Sequence, residues 1–183
     1  MGNSKQNVKI KAEVVQDILR LCETKFHDIV SDLLECVAHD VSNPETMVPY
    51  EAYYAMCELL EQKLGKLQTK LIAREWGKEL YDKMVKRKIV EPRPGALEMV
   101  AGFVTLMGQY TEGGDWGLVD SGSEFVVIED NLFCPPTLQN GIFEAIISKC
   151  GKVLYPHQSQ RRSNPANKDF DQMMVTWKNW RNS

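Results

Sequence analysis

The hydrophobic period of this chain changes once, and that change limits its architecture more than any single motif. From Val14 to Tyr110 apolar residues recur at three- and four-residue steps; beyond "TEGGDWG", Thr111 to Gly117, they recur at two. A period near 3.6 puts side chains on one face of a helix, and a period of 2 puts them on one face of a strand. The chain therefore divides into a helical half, about 8–111, and a sheet half, about 115–180. Its 183 residues suit one domain, 1–183, with one substantial core.

Within the helical half, Ile18, Leu21, Phe26, Ile29, Leu33 and Val37 mark one or two amphipathic helices, interrupted by "SNPETMVP", Ser42 to Pro49. Tyr53, Cys57, Leu60 and Leu64 form a second series that ends at Gly65. Leu71, Trp76, Leu80 and Met84 continue a third. "EPRPG", Glu91 to Gly95, stops that helix and opens the next, because proline suits a first turn and not a helix interior. The helix about Pro94 to Tyr110 is apolar around much of its circumference and should be largely buried.

In the sheet half, "WGLVD" and "EFVVIED" flank "SGS" as a β-hairpin. Pro135 and Pro136 end the second strand, since they cannot donate ladder hydrogen bonds, and they can enter a helix that Gly151 closes. The apolar face of that helix, with Leu138, Ile142, Phe143 and Ile147, should lie on the sheet. "KVLYPH" and "DQMMVTWKNW" then form a last pair of strands. The predicted fold class is α+β: a helical N-terminal half followed by a β-β-α-β-β antiparallel sheet unit.

Several function classes lose support on composition. The formal net charge is −3, so the chain lacks the overall basic footprint of a nucleic-acid binder. The local run "KMVKRK", Lys83 to Lys88, reads as the exposed end of a helix, where cations complement the macrodipole. No apolar run reaches the ~20 residues that span a bilayer, and the N-terminus carries no apolar secretion core, so no membrane insertion and a cytoplasmic location are expected. Five cysteines without a CxxC pair imply neither a disulfide framework nor a zinc knuckle, and no metal site is expected.

No GxSxG, P-loop, GxGxxG or HExxH motif occurs, and His27, His39 and His157 lie far apart. Glu129 and Asp130 point to opposite faces of one strand and make no shared acid/base pair. Cys134, just ahead of a helix, could gain thiolate character from the helix dipole, but no histidine lies near it in sequence. It reads as a junction residue, and no catalytic residue is expected.

The helix "PGALEMVAGFVTLMGQY", the hairpin, the helix "CPPTLQNGIFEAIISKCGK" and the last strand "DQMMVTWK" together resemble the heme-nitric-oxide/oxygen-binding (H-NOX) domains. The layout is also similar to the wider group of four-vinyl-reductase domains and TRAPP Bet-type subunits. The resemblance implies a heme held by a histidine on the helix before the first hairpin and by a Tyr-x-Ser-x-Arg motif on the second strand. Laid over this chain, the histidine position falls near Met107, and the motif positions fall about Glu129, Asn131 and Phe133. The standard ligand and motif are therefore absent; Ser159 and Arg161 keep part of the motif, but beyond the helix. Met107 and Tyr110 become the residues that would ligate iron if heme binds.

The resemblance further implies a non-enzymatic sensory or regulatory domain that binds a small hydrophobic ligand, or heme held unconventionally, and signals through a protein partner. Its pocket, between the helical half and the sheet, would be lined by Trp76, Leu80, Phe103, Met107 and Tyr110. The alternative is a heme-free interaction module whose pocket is filled by side chains. Trp177 and Trp180, placed at the end of an edge strand, would anchor its partner interface.

Overall fold

The structure is a computed structural model, and it describes residues 8–130, 135–155, 161–163 and 171–179. The chain enters on a short strand, β1 (Lys9–Lys11), and turns at once into α1 (Ala12–Glu23). A 3₁₀ turn, His27–Ile29, leads to α2 (Val30–Val37), which stops at Ala38 in the left-handed conformation, φ 52°. Strand β2 (Met47–Pro49) pairs with β1, and β1 also pairs with β3 (Thr111–Glu112) at the far end of the helical half. This three-stranded sheet was not expected from the sequence. Strands of two or three residues are too short to show a period.

The long helix α3 spans Tyr50–Lys86 and breaks internally at Gly65, whose φ of 75° and ψ of 164° lie outside helical geometry. A residue with a Cβ is strained at that φ, so the glycine puts the break where the sequence series ended. Helix α4 (Ala96–Tyr110) follows "EPRPG"; its first turn is secured by the Gly95 N–H donating to the Glu98 carboxylate at 3.3 Å. As expected, α4 is buried around much of its surface, through Met99, Val100, Phe103, Leu106, Met107 and Tyr110.

The hairpin forms as read, from β4 (Trp116–Ser121) and β5 (Phe125–Asp130), with a bulge between Leu118 and Asp120. Pro136 opens α5 (Pro136–Ser148), and Gly151, at φ 66°, lies just past its end. The remaining strands are β6 (Lys152–Leu154), β7 (Arg161–Ser163) and β8 (Asp171–Asn179). All pairings in this sheet are antiparallel, in the order β4-β5-β8-β6, with β7 also on β8. The α+β class stands, but the expected β-β-α-β-β unit gains a further short strand, β7, between its last two.

Two expectations about packing change. Strand β8 is not an edge: residues 171–176 pair with β5, and its two ends pair with β7 and β6. Trp177, opposite Leu154, is 3% exposed and belongs to the core, so it does not present an anchor to a partner. Trp180 lies outside the described residues, as does Cys134.

Helix α5, expected to use its apolar face on the sheet, is packed most closely against α3. Where they cross, a Cβ at Gly141 would meet the Ala73 Cβ at 2.6 Å and the Lys70 carbonyl oxygen at 2.7 Å. A Cβ at Gly77 would meet the Ala145 Cβ and the Ile142 carbonyl oxygen, both at 2.8 Å. Small residues four apart on both helices thus let the backbones touch. Ion pairs from Lys70 (2.6 Å) and Arg74 (3.2 Å) to Glu144 bind the same two helices together. With α3 covering one side, Phe143, Ile146 and Ile147 are buried as well. They share a continuous core with the inward row Val126, Ile128, Met173 and Val175 of the sheet.

Candidate functional site

The expected meeting place of helices and sheet does contain a cavity, but a small one of about 20 Å³. Three residues named from the sequence line it: Trp76 from α3, and Phe103 and Met107, one turn apart on α4. The others came from elements that carried no such signal. Trp116 enters from β4, Phe143 from α5, and Tyr50 and Tyr53 from the first turn of α3; Gln139 and Ile142 complete the wall. Phe143 and Ile142 were legible as core residues of an apolar helix, but not as lining.

The rings are packed against one another. Phe103 meets Trp116 edge to face, with centroids 6.0 Å apart at 88°, and meets Phe143 at 5.1 Å and 64°. Such tilted contacts are the favoured geometry for aromatic pairs and hold the rings beyond simple burial. Two polar atoms here have no partner: the Nε1 atoms of Trp76 and Trp116 are both buried without an acceptor. A buried donor left unmet costs about 1–3 kcal/mol.

Leu80 and Tyr110 are fully buried but do not line the cavity. Tyr110 instead belongs to an ionic cluster that joins α4, α3 and α1. Its hydroxyl donates to Glu13 Oε1 at 3.2 Å. The Lys83 ammonium donates to Glu13 Oε1 at 2.7 Å and to Asp17 Oδ2 at 2.6 Å, and Arg87 reaches Glu13 Oε2 at 3.2 Å. Arg87 also sits 5.1 Å from the centre of the Tyr110 ring, within cation–π range.

The charges of this cluster reinforce one another. Burial opposes ionisation of Glu13, but the hydrogen bond and charge of Lys83, with the charge of Arg87, outweigh it and hold the carboxyl below its ordinary value. Burial likewise works against the Lys83 cation, and the bonds to Asp17 and Glu13 raise its pKa all the same. Burial is the largest cause pushing the Tyr110 phenol up, to about 12. A phenol so held is committed to Glu13 and is in no position to ligate a metal. Lys83 and Arg87, read from sequence as a solvated helix end, are thus engaged with carboxylates of α1.

Among the described residues no group of three or more His, Cys, Asp or Glu side chains could hold a metal ion. His39 is occupied locally, its Nδ1 lying 2.6 Å from the Val37 carbonyl oxygen. Burial raises the thiols of Cys22 and Cys150 to about 11, so both are poor nucleophiles at neutral pH. No described helix is long and apolar enough to cross a membrane.

No family model matches the chain, and no curated protein matches it. Solved structures do match in shape. The Fe(II) unliganded H-NOX protein from K. algicida superposes with a TM-score of 0.61 over 92% of this chain and 97% of its own, at 8% identity. An H-NOX triple mutant from S. oneidensis in the Fe(II) ligation state gives 0.61 over 93% and 97%, at 11% identity. A point mutant of the T. tengcongensis H-NOX gives 0.56 over 91% and 96%, at 14% identity. The fold is therefore H-NOX-like along almost its whole length.

That fold raises heme as a cofactor, and the residues around the cavity do not fit it. Pockets for ligands larger than a few atoms run to about 300–1,000 Å³. Here the space is about 20 Å³, bounded by interlocked rings. Among the described residues no histidine lines it, and the phenol of Tyr110 is bonded elsewhere. Met107 forms part of the wall, where its flexible thioether fills space.

Proposed function

We propose that this chain is a non-enzymatic regulatory domain that keeps the H-NOX-like architecture without binding heme. The observation that carries the reading is the aromatic filling of the cavity, about 20 Å³ where a macrocycle would need a space many times larger. Side chains of α3, α4, α5 and β4 all contribute to that filling. A small hydrophobic molecule that parted the rings would change how these elements pack, and so shift the balance between conformations that a protein partner distinguishes. Cys22, Cys36 and Cys150 carry free thiols, in keeping with a reducing compartment, and the proposal places the domain in the cytoplasm.

Adding hemin to the purified protein and following the Soret region tests this reading. No saturable band is expected. A stoichiometric Soret band would overturn it, and its loss in Met107→Leu would identify the iron ligand.

The second reading, an interaction module that works through its surface alone, is favoured by a different observation. Leu67 and Leu71 stand one turn apart on α3, 70% and 41% exposed. They replace Trp177 as the apolar surface to examine, because Trp177 is interior. If this reading holds, Leu67→Glu together with Leu71→Glu weakens assembly measured by light scattering and leaves the melting temperature in place.

A further inference from the structure

Two residues that line the cavity carry donors with no acceptor among the described residues. Trp76 is 1% exposed, and its Nε1 is buried without an acceptor; Trp116 leaves its own Nε1 in the same condition. Both indoles line the one cavity. Buried N–H groups are nearly always paired with protein or ordered water, so two unmet donors on residues that share one cavity point to an acceptor from outside the chain. Among the described residues no charged side chain lines that void. An anion would lose its hydration there without a counter-charge, which restricts the acceptor to a neutral group.

We propose that the cavity is the binding site of a small, mainly apolar, neutral molecule with one carbonyl- or ether-type oxygen, which accepts hydrogen bonds from Trp76 and Trp116. The proposal rests on the heme-free regulatory reading above and names the ligand class for it. At about 20 Å³ the cavity has room for a single water, so binding requires the wall to move apart. Met107 supplies the means, as an unbranched thioether with three rotatable bonds, and Phe103 lies between Trp116 and Phe143 in edge contacts that part without breaking a hydrogen bond. The aromatic wall contributes area, and the two indoles contribute orientation. A hydrocarbon of the same shape satisfies the first and not the second.

The test uses the full chain with ¹⁵N-labelled tryptophan and two probes of matched shape, cyclohexanone and methylenecyclohexane. The ketone should move two indole N–H resonances saturably and bind roughly tenfold more tightly than the hydrocarbon. Trp116→Phe keeps an aromatic ring and removes one donor; it should erase most of that advantage while hydrocarbon binding persists. If this variant does not fold, the comparison of the two probes on the unaltered protein decides alone. Equal affinity for both probes, or no binding of either, overturns the proposal. So does a water cross-peak at both indoles that persists at saturating ketone, which would assign the donors to a structural water. These failures leave the heme-free reading intact as long as hemin gives no Soret band, whereas a Soret band removes that reading whatever the ketone does.

Discussion

Helix α3 is held by two contacts of opposite character. Against α5 the two backbones touch through Gly77 and Gly141, with Ala73 and Ala145 beside them. Against α1 and α4 the contact is ionic, through Glu13, Asp17, Lys83, Arg87 and Tyr110. The first is governed chiefly by volume, with Lys70 and Arg74 paired to Glu144 at its margin. The second depends on charge and leaves its side chains partly exposed, Lys83 by 24% and Glu13 by 19%. Close backbone packing is thus the distinguishing feature at α5, whereas α1 adds an ionic cluster to the burial of Val14, Val15 and Ile18, and perturbations should separate the two.

The largest effect is expected at the volume-controlled contact. Ile142→Ala deletes a buried side chain beside both the crossing and the cavity, and should cost about 2–5 kcal/mol in urea denaturation. A cost under 1 kcal/mol would mean that α5 is not locked as described. Next comes Gly141→Ala. Its new methyl faces a backbone oxygen that moves only if α3 moves, and the expected cost is about 1–3 kcal/mol despite the better helix propensity of alanine. Gly108 is the control: a Cβ there meets nothing within 4 Å, so Gly108→Ala should stabilise by up to about 1 kcal/mol.

At the charge-controlled contact, Lys83→Met leaves Glu13 and Asp17 without their shared donor and should cost roughly 1–3 kcal/mol. Unlike the glycine variants, it should also change how stability responds to pH. The smallest effect is that pH response in the unaltered protein. Glu13 is lowered from 4.5 in the fold, so its contribution is present above pH 4.5 and is lost as pH falls through the lowered value. Tyr110 is raised from 10.0 to about 12 and Lys83 is raised from 10.5, so their contributions are present below those ordinary values and are lost as pH rises beyond them. Cys22 and Cys150, raised from 9.0 to about 11, begin the alkaline loss earlier, from pH 9, and Glu13→Gln should reduce the acid limb, to which the lowered Asp40 and Glu75 also contribute.

What was legible in the residues was what local chemistry controls. Gly65, the Pro94–Gly95 entry to α4, the hairpin around Gly122 and the Pro136 start of α5 each impose a backbone state on their own neighbours. Contacts between distant segments were not legible. The centrality of β8 depends on partners at both its ends, and no period within β8 reports them. In the site, Phe103 and Met107 were readable because they share one helix face. Tyr110, a further turn along α4, turns to Glu13 ninety-seven positions away. Trp116 looked like the start of a hairpin strand, and only the tertiary fold brings its indole to the cavity.

The place of β8 also governs the order in which the molecule can assemble. The strand at the middle of the larger sheet is the last of its strands in sequence, and Phe125 meets Thr176 across 51 positions. Until residues 171–179 have been synthesised, β5 keeps one naked edge and β6 has no strand to join. The helical half can form its own contacts well before that, and closing so long a loop is slow. During synthesis the hairpin β4–β5 is thus the segment with an unmet ladder and the one most open to pairing with another chain.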